Sequence, residues 1–204
     1  MRYLFVSLII SVIAYLSSCD KVKSFPCEIS IMCKKSVSDR IKICCLEQDY
    51  YKTRVLYDGV LKDSTISITE NCNLNNPRIG YFVLSSDSVP HYFIIEPGKI
   101  IINRIDKFVI LNGSKKNRTL INLRGEINKI IEQKAELLKE YNQLLADSIL
   151  TQRREYEIHA KDSALYSKLQ NKLVLYLNND DITSKILKEE FYKYLSDEIW
   201  QMLH

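Results

Sequence analysis

The chain has 204 residues, of which 46% are hydrophobic and 26% charged, the composition of a folded protein, so wholesale disorder is excluded. Lys and Arg total 29 against 25 Asp plus Glu, and no basic run marks a nucleic-acid surface. Five Gly leave little material for phosphate-cradling loops, and the three His (His91, His159, His204) lie far apart in sequence.

Met1-Arg2 supplies one positive charge, and Tyr3 to Leu16 form an apolar run. A membrane span needs about 20 such residues, so this shorter run predicts a signal-peptide core over residues 1–18. It ends in Leu16-Ser17-Ser18-Cys19, the lipobox pattern of a bacterial lipoprotein: Leu three residues before Cys, with small residues between. Small side chains let the peptidase reach the bond before Cys19. The Cys19 thiol is then the expected lipid-attachment site, and each buried CH₂ of the chains adds about 0.8 kcal/mol of membrane affinity. The expected address is the cell envelope of a Gram-negative bacterium, with residues 19–25 as the anchor linker.

From residue 26 the pattern is that of strands. Cys27, Ile29, Ile31 and Cys33 alternate with polar or exposed-type residues, as do Ile41, Ile43 and Cys45. Arg54–Leu61 and Thr65–Thr69 continue in short pieces, with Asp58-Gly59 as a turn signal. Ile79–Leu84 and His91–Ile95 are rich in aromatic and β-branched residues. Glu96-Pro97-Gly98-Lys99 has Pro and Gly where a type II turn needs them, which predicts a hairpin from His91–Ile95 into Ile100–Ile105. Phe108–Leu111 completes the set before Asn112-Gly113.

After Ser114 the apolar spacing becomes helical. It predicts helices over about 120–148, 152–178 and 183–204, the last capped by Thr183 or Ser184 after the Asn178–Asp181 break. Strands followed by helices give an α+β fold: an antiparallel, sandwich-like β-domain over 26–117 and a helical extension of about three helices over 118–204. At 100° per residue Leu187, Phe191, Tyr194, Leu195, Ile199, Met202 and Leu203 spread over about half of the last helix, with Trp200 outside the arc. Such an arc predicts either packing on the preceding helices or self-association through 183–204.

The segment Tyr81–Asn117 carries a looser signature. A strand leads into Phe93-x-x-Glu96-x-Gly98-x-Ile100, then Gly113-Ser114-x-x-Asn117, then a long helix, with Asp63-Ser64 preceding an earlier strand. This resembles the domain-of-unknown-function family 4369, the N-terminal β-domain of lipoproteins whose C-terminal half is a thioredoxin-like thiol-disulfide oxidoreductase. The likeness covers about Pro26 to Asn117. It implies the accessory domain without the catalytic one, because the chain ends at His204 before a thioredoxin fold.

The chemistry-bearing residues support the same expectation. With Cys19 given to lipid, Cys27, Cys33, Cys44, Cys45 and Cys72 contain no Cys-x-x-Cys, and Cys27, Cys33 and Cys45 share strand faces with Ile, as buried small hydrophobes do. One cross-strand pair among them stays open. Cys and His at zinc-ligand spacing are lacking, so neither metal nor cofactor is expected. His91, flanked by Tyr92 and Phe93, is expected to pack rather than catalyse, and the Tyr at helical spacings, Tyr141, Tyr166 and Tyr194 among them, to lie in the core. The expected function is a lipid-anchored, non-catalytic interaction domain. The alternative is an accessory or remnant of a thiol-disulfide system, with a separate thioredoxin-like protein as partner.

Four of the twelve Asp precede Ser and then Thr, Val, Ile or Ala, more than random order provides. The pattern resembles the Asp-Ser/Thr-apolar acceptor of a bacterial O-glycosylation system. It nominates Ser64, Ser88 and Ser148, while Asp162-Ser163-Ala164 falls inside a predicted helix. The competing role for such pairs is capping and turning the backbone.

Overall fold

A computed structural model describes residues 24–33, 40–47, 52–60, 65–73, 76–85, 89–105 and 108–196. Eight strands precede the helices: β1 (Ser24–Cys33), β2 (Arg40–Leu46), β3 (Thr53–Val60), β4 (Thr65–Asn73), β5 (Arg78–Leu84), β6 (His91–Ile95), β7 (Gly98–Ile105) and β8 (Phe108–Asn112). They form two four-stranded sheets, β4-β1-β7-β8 and β3-β2-β5-β6. All pairings are antiparallel except β1 with β7, which run parallel. Helices α1 (Lys115–Ala146), α2 (Gln152–Leu177) and α3 (Ile182–Phe191) follow, and a 3₁₀ turn covers Tyr192–Tyr194. The architecture is α+β, strands first and helices after, as the change of apolar period predicts.

Period-two alternation builds the core between the sheets. Cys27, Ile29 and Ile31 with Ile66, Ile100 and Ile102 face Ile41, Ile43, Cys45, Phe82, Leu84, Phe93 and Ile95, all buried. Phe93 sits directly opposite Gly80, where an added Cβ would lie 2.7 Å from its ring, so the glycine makes room for the aromatic. The other face of β5 and β6 is also buried, at Ile79 and Ile94, because α1 and α3 pack on these two strands. The outer face of the first sheet is polar instead, with Glu28, Thr65, Ser67, Thr69 and Lys99 exposed. The molecule is thus three layers: open sheet, covered sheet, helices.

Several expectations need correction. Asp58-Gly59 lies inside β3 rather than at a turn; Asp58 accepts from the Arg40 guanidinium at 2.8 Å across the β2–β3 pair. Glu96–Lys99 does not close a hairpin. β6 pairs with β5, whereas β7 pairs with β1 and β8, so the chain crosses between sheets at this point. The helix after Ser114 begins at Lys115 rather than near 120. Asp181, not Thr183 or Ser184, caps α3, its carboxylate accepting the Ser184 N–H at 2.8 Å, while Thr183 and Ser184 are buried within the helix. That helix ends at Phe191, and Leu195 is extended (φ −75°, ψ 137°), so the apolar arc does not continue on one helix past Tyr194. Ile199, Trp200, Met202 and Leu203 lie outside the described residues.

Candidate functional site

The segment singled out by its motif is a clasp between the sheets and α1. Ser114 caps the helix, its hydroxyl accepting the Asn117 N–H at 3.3 Å. Asn117 is fully buried and points into the edge of β6, where its Oδ1 accepts the Ile94 N–H at 2.9 Å. Its Nδ2 donates to the Ile94 carbonyl at 2.7 Å and to Ser114 Oγ at 2.9 Å. One side chain therefore completes the edge of β6 as a neighbouring strand would, which is why the next strand is free to enter the other sheet. Gly113 has φ +142°, and a Cβ there would lie 2.4 Å from the Lys99 carbonyl oxygen, so the chain crosses β7 only as glycine. Glu96 faces the first turn of α1. Burial pushes its carboxyl up, although the Lys116 charge and the Lys116 and Asn117 N–H groups pull it down, and its Oε1 is buried without a partner. Farther along, the Arg124 guanidinium donates to the Tyr92 carbonyl at 2.8 Å and to both carboxylate oxygens of Glu190 on α3. Burial pushes the Glu190 carboxyl up against the opposing pull of Arg124.

A second cluster fills one end of the inter-sheet space. Glu70 on β4 accepts from Arg78 at 2.8 Å and from Arg54, both on the opposite sheet, and Arg78 also donates to the Asn71 carbonyl at 2.7 Å. Burial raises the Glu70 carboxyl, but hydrogen bonds from Arg54 and Arg78 outweigh it and hold the group below its usual range. Three thiols adjoin this ion cluster. Burial pushes Cys27 up to about 12 and raises Cys45 and Cys72 as well, so near pH 7 all three are thiols rather than thiolates. In that state they are weak nucleophiles and serve as packing groups. The vicinal Cys44 is buried too, on the opposite face of β2, where it stands across from Tyr81 of β5.

The residues nominated by sequence fall in different places. Cys19, Ser64 and Ser88 lie outside the described residues, as does the Cys33 side chain. Ser148 is exposed at the tip between α1 and α2, with left-handed backbone (φ 56°). There the Ser148 N–H bonds the Leu145 carbonyl and the Ile149 N–H bonds the Leu144 carbonyl, both at 3.1 Å, the Schellman ending of a helix. Asp162 and Ser163 are within α2, and Asp162 pairs with Lys134. His91 stacks on Phe82 with ring centroids 4.9 Å apart, a packing role. Tyr141 and Tyr194 are half-buried, but Tyr166 is 44% and Tyr156 77% exposed, so these two are not core residues. Among the described residues no group of three or more His, Cys, Asp and Glu is placed to hold a metal ion.

What sequence reading missed is the exposed apolar face of the helical arm, whose two helices it predicts. At its base one line along α1, Leu120, Arg124 and Ile127, lies against β6 and α3. The same line continues at helical steps of three and four through Ile131, Ala135, Leu138, Asn142 and Leu145. Among the described residues none covers it here: Leu138 is 60% and Leu145 56% exposed, and Ala135 and Asn142 are exposed too. Ile149 at 61% and Tyr156 at 77% are further exposed large side chains near the tip. The distal arm is held by Leu137 and Ile158, which lie outside the main core, and by ion pairs of Lys134 with Asp162 and of Arg154 with Glu140 and Glu157. The signal for this surface was present in the sequence as a second apolar line beside the one facing α2. No protein-family model and no curated protein matches the chain.

Proposed function

We propose that the chain is a lipid-anchored envelope protein that acts without catalysis, with the β-sandwich as scaffold and the helical arm as the element that contacts a protein partner. The observation that carries this reading is the uncovered apolar line of Leu138 and Leu145, on an arm stiffened by two antiparallel helices. Direction supports it. The first residues of β1 share a level with Gly98, at the Ile95 end of β6. From Asn117 at Ile94 to Arg124 at Tyr92, α1 runs the opposite way along β6. The arm therefore leaves the sandwich from the end remote from the anchor linker, reaching about 30 Å past Arg124 at 1.5 Å per residue. An anchor at Cys19 places that tip away from the membrane surface.

The test is site-specific photo-crosslinking in the native envelope. A crosslinker at Leu138 or Leu145 should give a discrete protein adduct, and one at Thr69 on the open sheet should not. Equal adducts from both sites, or none from the arm, would contradict the reading. Incorporated fatty-acid label should disappear with Cys19→Ala, and purified protein should leave insulin disulfides intact.

A further inference from the structure

We infer that Cys27 and Cys72 join as a cross-strand disulfide while the chain folds. The inference draws on the envelope reading only for an oxidising surrounding. In the antiparallel register of β1 and β4, Cys27 stands opposite Glu70 and Cys72 opposite Phe25. The two cysteines thus occupy diagonal positions on one face of the pair, the face turned toward the other sheet. Both are buried, and Cys72 Sγ donates to the Phe25 carbonyl at 3.4 Å, back toward the strand that carries Cys27. Diagonal Cα atoms are ordinarily about 7–8 Å apart, and a bridge wants less than about 7 Å. Closing it requires the two Cα atoms to approach by about an ångström through a local shift of β4 along β1. Among the described strands β4 is an edge paired with β1 alone, so it has that freedom. Cys44 and Cys45 belong to the opposite sheet, on β2.

The chemistry balances with an external disulfide as oxidant, either a small molecule or a thiol-disulfide exchange protein. One Cys thiolate attacks a sulfur of that disulfide, forming a mixed disulfide and releasing the first thiolate. The second Cys thiolate attacks the chain's own sulfur in the mixed disulfide, closing the Cys27–Cys72 bond and expelling the second thiolate. Two electrons pass to the oxidant, and the two protons lost from the cysteines appear on its two thiols. In the folded protein burial makes thiolates scarce, so the exchange takes place before β1 and β4 close over the pair.

The experiment uses the natively lipidated protein in detergent, unfolded with reductant and refolded in a glutathione buffer, then acid-quenched, alkylated and mapped by mass spectrometry. Cys27 and Cys72 should emerge in one linked peptide pair, with Cys44 and Cys45 alkylated. The oxidised form should melt about 5–10 °C above the reduced one. Cys27→Ala and Cys72→Ala should each remove that shift, with no further loss in the double variant. Full alkylation of both residues after refolding, or a bridge from either to Cys33, Cys44 or Cys45, would overturn the inference. Protein that leaves the cell with both thiols free, yet closes the bridge on refolding, supports the pairing and counts against the envelope reading instead.

Discussion

The sandwich and the distal arm are built on opposite terms. In the sandwich and the base of α1 the main apolar faces cover one another, and most polar groups that enter arrive with partners prepared, as Asn117 does for Ile94 and Arg54 with Arg78 do for Glu70. In the arm beyond Ile131 one apolar line faces α2, and the adjacent one meets no cover among the described residues. Short helical pairs gain little from propensity alone and rely on burial, so the arm keeps its shape with a thin seam and surface ion pairs. The difference separates two uses of the same side chains. Leu120 is spent on stability, whereas Leu138, on the same face of the same helix, is available for contact.

That contrast sets an order of effects. Phe93→Ala empties the space beside Gly80 in the middle of the sandwich and should cost about 3–5 kcal/mol in denaturant unfolding. A loss below about 1 kcal/mol would mean the sandwich core does not hold the molecule together. Asn117→Ala removes the partner of both Ile94 backbone groups, each buried, and is expected to cost about 2–4 kcal/mol. The companion substitution Ser114→Ala, which loses the cap and one Asn117 Nδ2 bond but keeps both bonds to Ile94, should cost about 1 kcal/mol. If the two variants were equally mild, Asn117 would be a cap residue and not a strand substitute.

Acid should strike the sandwich through Glu70. Its carboxyl titrates below the usual value in the folded protein, so its contribution is fully present above the unfolded carboxylate range and is lost as pH falls through the lower, folded value. Stability measured between pH 6 and pH 3 should therefore decline more steeply in the parent than in Glu70→Gln. Parallel curves would remove the ion cluster from the account. The arm should respond least. Leu138→Ser should change stability by less than about 0.5 kcal/mol, because that side chain is already in water. Ser148→Gly relieves a left-handed non-glycine residue and should stabilise by about 1 kcal/mol. It also removes one nominated glycan acceptor, so intact mass of the natively produced protein, compared with this variant, shows whether Ser148 carries a modification.

Much of this layout was legible in the sequence. Alternation marks β1 and β2, aromatic and β-branched content marks β5 and β6, and the shift to steps of three and four after Ser114 marks the helices. Pairing was less legible. Pro97-Gly98 looks like a hairpin turn because local turn chemistry cannot register that Asn117, remote from Ile94 in sequence, already occupies the edge of β6. Asp58-Gly59 misleads for a related reason: a glycine beneath the Tyr57 ring reads locally as a turn. The motif Phe93, Glu96, Gly98, Gly113, Ser114, Asn117 stands out through its constraints, and those constraints are architectural. The arm surface was hidden because apolar residues at helical spacing predict burial by default, and only the placement of β6 and α3 shows where the cover ends.

Hydrogen exchange tests the division between scaffold and arm most directly, read along α1 in the purified protein and again in native envelopes. In the purified protein, amides of residues 117–131 should share the slow exchange of the sandwich strands, and those of 135–145 should exchange markedly faster. In native envelopes the added protection should fall on 135–145 and spare the strands. Uniform slow exchange along the whole of α1, or protection that does not change between the two preparations, would contradict the assignment of the arm as the contact element.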